Sequence, residues 1–173
     1  MFREKERNSE KYSTEIKFNR MITKKFYVLF VVGWLKDQFA GIDYRINAGP
    51  GLGYKFLNGP KNFLSGELGV EYVEEEDTEK NKDDYTRGRS FLQYDYAFTK
   101  KNRFTQSIEY LHDFDNSDNY TAKSITALIS SLSDIFSLKI SYEVEYNNEP
   151  AIEDGVELDD TDSTLTVALV VNF

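Results

Sequence analysis

Residues 42–56 alternate without a break. Ile42, Tyr44, Ile46, Ala48, Pro50, Leu52, Tyr54 and Phe56 fall on one face, and Asp43, Arg45, Asn47, Gly49, Gly51, Gly53 and Lys55 on the other. A period of two belongs to a strand, whose successive side chains point to opposite sides. An ordinary soluble strand runs about 5–6 residues. A strand that crosses a bilayer at a tilt needs about 9–11, and the length of this run suits that task.

The pattern recurs over 12–20, 64–73, 86–98, 104–111, 136–146 and 163–173. Residues 26–36 are apolar on both faces, and 120–130 are ambiguous. Nine strands are expected, with no helix. The apolar run Phe26–Leu35 follows Lys24-Lys25 and so imitates a signal peptide. The segment from Met21 that contains it follows twenty residues of chain, and this position and the strand pattern that follows favour a strand instead. It is also too short for a spanning helix, which needs about 20 apolar residues. Residues 1–9, charged almost throughout, read as a leader or loop remnant, and 10–173 as one barrel domain.

Connections are expected to alternate in length. Short ones fall near 21–25, 57–62, 99–103 and 131–135, and longer ones at 74–85, 112–119 and 147–162. An up-and-down outer-membrane barrel has this form, with short periplasmic turns and longer outer loops. Charge divides the same way. The three longer segments hold 7, 3 and 7 acids against two bases, Lys80 and Lys82, a net of −15. The remainder of the chain, whose total is −9, is therefore +6. The short turns carry Lys24, Lys25, Lys61, Lys100, Lys101 and Arg103.

Aromatics bound the apolar faces at both ends. Phe18, Phe26, Phe56, Phe98, Phe104, Phe136 and Phe173 lie next to short turns; Tyr12, Trp34, Tyr44, Tyr72, Tyr110, Tyr120 and Tyr146 lie next to long loops. Such rings are the interfacial girdles of a membrane barrel. A soluble core would gather them in mid-strand. The last strand repeats Leu165, Val167, Leu169, Val171 and Phe173 at every second position. A free edge of that kind needs a pairing partner.

Composition excludes other classes. The acidic balance argues against a nucleic-acid partner. With no cysteine and one histidine, disulfides, thiolate metal sites and His-rich metal sites are excluded.

The stretch Lys36-Asp-Gln-Phe-Ala-Gly-Ile-Asp-Tyr-Arg45, followed by Gly49-Pro-Gly-Leu-Gly-Tyr54, resembles the domain-of-unknown-function 481 family, often labelled salt-induced outer membrane proteins. Ser107-Ile-Glu-Tyr110, Ser137-Leu-Lys-Ile-Ser-Tyr-Glu143 and Thr161-Asp-Ser-Thr-Leu165 fit the same pattern, so the resemblance covers nearly the whole chain. It implies an outer-membrane location and no particular activity. Family members open with a signal peptide and further strands, and bacterial single-chain barrels have even strand numbers. The expectation is an intact barrel of about twelve strands, of which this chain carries nine. Resemblance to other such barrels also implies that the strand ending at Phe173 is read by the barrel-assembly machinery.

Candidate chemistry is sparse. His112-Asp113 neighbours Ser117 at a strand–loop junction, where a rim hydrolase would place its base. A solvated histidine is the plainer reading, and no enzyme is expected. Asp113, Asp115, Asp118 and Asp159-Asp-Thr-Asp162 lack the glycine and the bidentate glutamate of an EF-hand, which leaves weak divalent-cation binding at the loops. Gly49, Gly51 and Gly53 form no phosphate loop and read as relief of crowding or strand curvature. No cofactor motif is present.

The polar face carries Glu15, Lys17, Asp43, Arg45, Lys55, Glu67, Glu71, Arg87, Arg89, Asp95, Glu109, Lys139, Glu143 and Glu145, all expected to face a lumen. Unpaired charge in a narrow space is costly, so these groups are expected to pair and largely fill it. The sequence reads as an integral outer-membrane β-barrel in contact with lipid and lipopolysaccharide, either a narrow pore or a structural envelope-stress component. A soluble lipid-binding barrel is the competing class.

Overall fold

The computed structural model describes residues 11–37, 41–78, 80–150, 152–153, 156–157 and 159–171. They form β1 (Lys11–Met21), β2 (Phe26–Asp37), β3 (Ile42–Asn58), β4 (Asn62–Asp77), β5 (Lys82–Ala97), β6 (Asn102–Asp113), β7 (Tyr120–Ser131), β8 (Phe136–Asn147), β9 (Ile152–Glu153), β10 (Val156–Glu157) and β11 (Thr161–Val171). Nine strands make one sheet in the order β1-β2-β3-β4-β5-β6-β7-β8-β11, each antiparallel to its neighbours. The fold is the all-β, up-and-down barrel wall that the alternation predicts. β1 and β11 are its two edges. β9 and β10 pair with each other in the last connection, a small ladder that the sequence pattern did not announce.

The strands overrun their expected ends. β4 continues to Asp77 and β5 begins at Lys82, so the connection expected over 74–85 is a turn at 78–81. The connections at 114–119 and 148–160 remain longer than the turns at the other end, so the asymmetry lies in charge and in those two connections. The overshoot sets Glu74 opposite Asp84 and Glu75 opposite Asp83. Like charges across a ladder are unfavourable; Arg45 of β3 offsets one of them by pairing with Glu75.

The wall curls. Lys17 on β1 meets Glu67 on β4 at 3.0 Å. On a flat sheet three strand steps of about 4.8 Å would hold those backbones roughly 14 Å apart. Glycines in β3 allow the bend. A Cβ added to Gly49 would lie 2.0 Å from the Val70 carbonyl oxygen, and one on Gly53 would lie 2.1 Å from the Tyr27 ring. On the concave side Tyr27, Leu29 and Val31 of β2 form a small buried apolar cluster, with Val31 only 1% exposed. This explains why β2 is apolar on both faces: one face packs inside the curl, and the other joins the convex surface through Phe30 and Trp34.

The convex face is apolar and open. Phe18, Ile46, Leu52, Leu68, Val70, Leu128 and Ile140 are exposed, Leu68 at 67%. Of the expected girdle residues, Tyr12, Phe18, Trp34, Phe56, Tyr72, Phe98, Tyr110 and Phe136 are exposed, whereas Phe26, Tyr44, Phe104, Tyr120 and Tyr146 are half-buried. In β11 Leu165, Val167, Leu169 and Val171 are exposed too, whereas Phe173 lies outside the described residues.

Candidate functional site on the concave face

Two carboxylates on β4 organise the concave face. Alternation puts Glu67, Glu71 and Glu75 on its inner side, and the curl brings cations to them from both flanks. Glu67 accepts from Lys17 Nζ at 3.0 Å, Tyr27 Oη at 2.7 Å and Arg89 Nη1 at 3.1 Å. Glu71, 2% exposed, accepts from Asn47 Nδ2 at 2.9 Å and from Arg87 Nε and Nη2 at 3.0 and 2.8 Å. Arg89 Nε reaches Glu109 at 2.6 Å and stands 3.8 Å from Glu71. Phe91 packs against both cations: the Lys17 ammonium is 5.2 Å and the Arg89 guanidinium 5.0 Å from its ring centre. One network thus spans β1 to β6, with Lys17, Arg87 and Arg89 balancing Glu67, Glu71 and Glu109. Burial of such charge is tolerated because the acceptors are hydrogen-bonded several times over.

The other predicted inner residues distribute unevenly. Glu143 and Glu145 on β8 hold Lys123 at 2.6 and 3.2 Å. Asp95 accepts from Gln93 at 2.7 Å. Lys55 and Lys139 make no ion pair among the described residues. Arg45 bonds Glu75 at 2.6 Å. Asp43 belongs to a separate cluster at the acidic end, beyond Tyr44 and Tyr72. It meets Lys36 at 3.3 Å and accepts a hydrogen bond from Lys80, which also bonds Glu76 at 2.9 Å. Lys80 lies in the 78–81 turn, and its ammonium is held above the ordinary lysine range by Asp43 first and then Glu76. Hydrogen bonds from Lys80 hold Asp43 and Glu76 below the ordinary carboxylate range.

Several partners were not legible as inner residues. Glu75 extends the Glu67–Glu71 spacing, but it sits in an acidic run that reads as a loop. Lys123 lies on the ambiguous strand β7. Its side is fixed through Glu109 and Glu145, which stand directly opposite it on the two neighbouring strands. The ambiguity has a cause: β7 puts Ile125 and Ala127 inside, and outside it places Ser124 and Thr126, which share the Gln106 amide at 3.0 and 2.6 Å.

His112 and Asp113, neighbours in sequence, point to opposite faces. The His112 ring stacks on Tyr110 at 6.2 Å and 11° and meets Phe114 edge-on at 6.2 Å, with Nδ1 buried and unpartnered. Asp113 is buried inside and accepts from the Asp115 amide and from Asn119. Among the described residues no three metal-ligating side chains converge.

A curled antiparallel wall with an apolar outside and a charged, hydrogen-bonded inside defines a porin-like β-barrel protein. The structural similarity agrees: the solved structure of NanC porin superposes with a TM-score of 0.64, at 8% identity, covering 94% of this chain and 79% of that one. The chain belongs to the family described as "Protein of unknown function, DUF481", whose model matches residues 3–173. It is also 28% identical over 162 residues to the uncharacterized protein YdiY of Escherichia coli (strain K12). That match covers 94% of this chain, which spans 62% of the length of that relative.

Proposed function

We propose that this chain is the greater part of an integral outer-membrane barrel whose lumen is narrowed by ion pairs, so that it passes small ions at most. The exposed apolar convex face carries the membrane reading. A water-soluble protein rarely exposes contiguous apolar patches beyond a few hundred Å², whereas lipid covers such a face at no cost. The basic turns belong on the periplasmic side and the acidic connections outside, by analogy with barrels whose short turns are periplasmic. Further strands complete the barrel, and the girdle rings sit at headgroup level, in contact with phospholipid on one side and lipopolysaccharide on the other.

The network from Lys17 to Glu109 supports a narrow lumen, because it fills the inner side of β1–β6 with paired groups. What remains open lies along β7, β8 and β11, where Lys139 and Ser141 face inward. The likeness to a porin supports a pore over a purely structural role, and no catalytic role is proposed. Weak divalent binding at the acidic loops and reading of the β11 strand by the assembly machinery are further parts of the proposal.

Planar-bilayer recording on the full-length protein tests it. The expected result is a small conductance that rises when Arg89→Gln opens the network. Absence of conductance in both forms would favour the structural role. Recovery of the protein from the soluble fraction would sink the membrane reading itself.

A further inference from the structure

The short-turn end holds a cleft that the lumen does not use. The β1–β2 turn and the β3–β4 turn are next-but-one neighbours, tied where the Lys55 amide donates to the Lys25 carbonyl at 2.9 Å. Between them lies a space of about 590 Å³, bounded by Lys24, Lys25 and Lys61, by Asn58 and Asn62, and by Phe56, Leu57 and Pro60. Its charged side chains are all cationic. Among the described residues none of the three ammonium groups makes an ion pair. Lys61 lies 5.4 Å from the Tyr96 ring centre. The Asn62 oxygen is occupied by the Tyr94 hydroxyl at 3.3 Å, which leaves its NH₂ group to donate. No carboxylate lines the cleft, although acids outnumber bases 30 to 21 along the chain. One side is greasy: Phe56 and Leu57 are exposed at the foot of the convex face.

We infer that this cleft binds the phosphodiester headgroup of an anionic phospholipid in the periplasmic leaflet, its acyl chains running up the wall past Phe56 and Leu57. Three unpaired cations with amide donors match an anion that only accepts hydrogen bonds. The adjoining apolar surface distinguishes a lipid from free phosphate. The inference rests on the membrane reading above, which puts this end of the wall at headgroup level.

The test uses the full-length protein in nanodiscs of phosphatidylcholine mixed with phosphatidylglycerol, with native mass spectrometry of the lipid retained on extraction. Phosphatidylglycerol should be retained preferentially. Lys24→Gln, Lys25→Gln and Lys61→Gln should each lower that retention about fivefold, the ratio equivalent to ~1 kcal/mol per basic residue near an anionic surface. Lys100→Gln and Lys101→Gln, on another turn, should leave it unchanged. Equal losses from all five substitutions would reduce the effect to general surface charge and overturn the site. Displacement of the lipid by inorganic phosphate at comparable concentration would overturn the lipid assignment. A protein that inserts but shows no anionic preference refutes this inference alone, whereas failure to insert removes the membrane reading with it.

Discussion

The ammonium of Lys17 and the carboxylate of Glu67 lie 3.0 Å apart across three strand steps. Only a curled sheet brings them together, so the pair reports curvature. Lys17→Gln and Glu67→Gln should therefore be non-additive, with an interaction energy in the range of about 0.5–3 kcal/mol found for groups in one network. Unfolding of the single and double variants from lipid vesicles in urea measures it. Strict additivity would mean that the wall is flatter than described.

Glu71 is the most enclosed acid of the network. Glu71→Gln leaves Arg87 buried without its counter-charge, and breaking a buried pair in this way costs about 3–5 kcal/mol. Replacing Arg87 by Met at the same time should recover part of the loss. A single variant as stable as the parent would show that water reaches this site.

The convex face gives a depth test. Leu68 lies midway between the Tyr72 ring and the short turns, and Leu68→Arg should cost about 2–4 kcal/mol, the penalty for a cation at the bilayer midplane. Ile46 stands opposite Glu74, near the acidic rim, and Ile46→Arg should cost only about 0–1 kcal/mol. The same urea titrations decide it, and equal costs would refute the assigned depths.

At Gly49 an added methyl would strike the Val70 backbone, which cannot swing aside as a side chain can. Gly49→Ala should lose at least the roughly 1–3 kcal/mol of an overpacked core and lower the yield of heat-modifiable protein in detergent gels. Gly59→Ala, whose nearest neighbour is 3.5 Å away, should behave as the parent.

The cluster of Asp43, Glu76 and Lys80 predicts a pH window. The acids have lowered values, so their contribution is present above the ordinary 3.8 and 4.5 and is lost as pH falls through the lowered values. Lys80 has a raised value, so its contribution is present below 10.5 and is lost only as pH rises through the raised value. Carboxyl carbon NMR should show Asp43 and Glu76 titrating below the ordinary values and moving back up in Lys80→Gln. Unchanged midpoints in that variant would remove Lys80 as the cause.

The strands and their two faces were legible because one face is apolar and the other polar, which imposes a strict period of two. The ends were not. Glu74–Asp77 reads as a solvated loop because the cations that meet it, Arg45 on Glu75 and Lys80 and Lys82 on Glu76, lie on β3 or past the strand end. β7 escaped a clear assignment because Gln106, one strand away, satisfies its outward Ser124 and Thr126. The polar face showed which charges would be inside, but not which would meet. Curvature decides that, and curvature depends on where Gly49 lets one backbone approach another.

The contacts of β4 also imply an order of events. Arg87 is 16 residues from Glu71, and its strand pairs directly with β4 through one four-residue turn. Lys17 is 50 residues from Glu67 and reaches it only after two intervening strands have bent. Short-range closure is entropically cheaper and forms sooner. The β4–β5 hairpin can thus neutralise Glu71 by itself, whereas its Glu75 waits for Arg45 of β3. The lysine bond to Glu67 is then a late fastening, made once the wall has already rolled up.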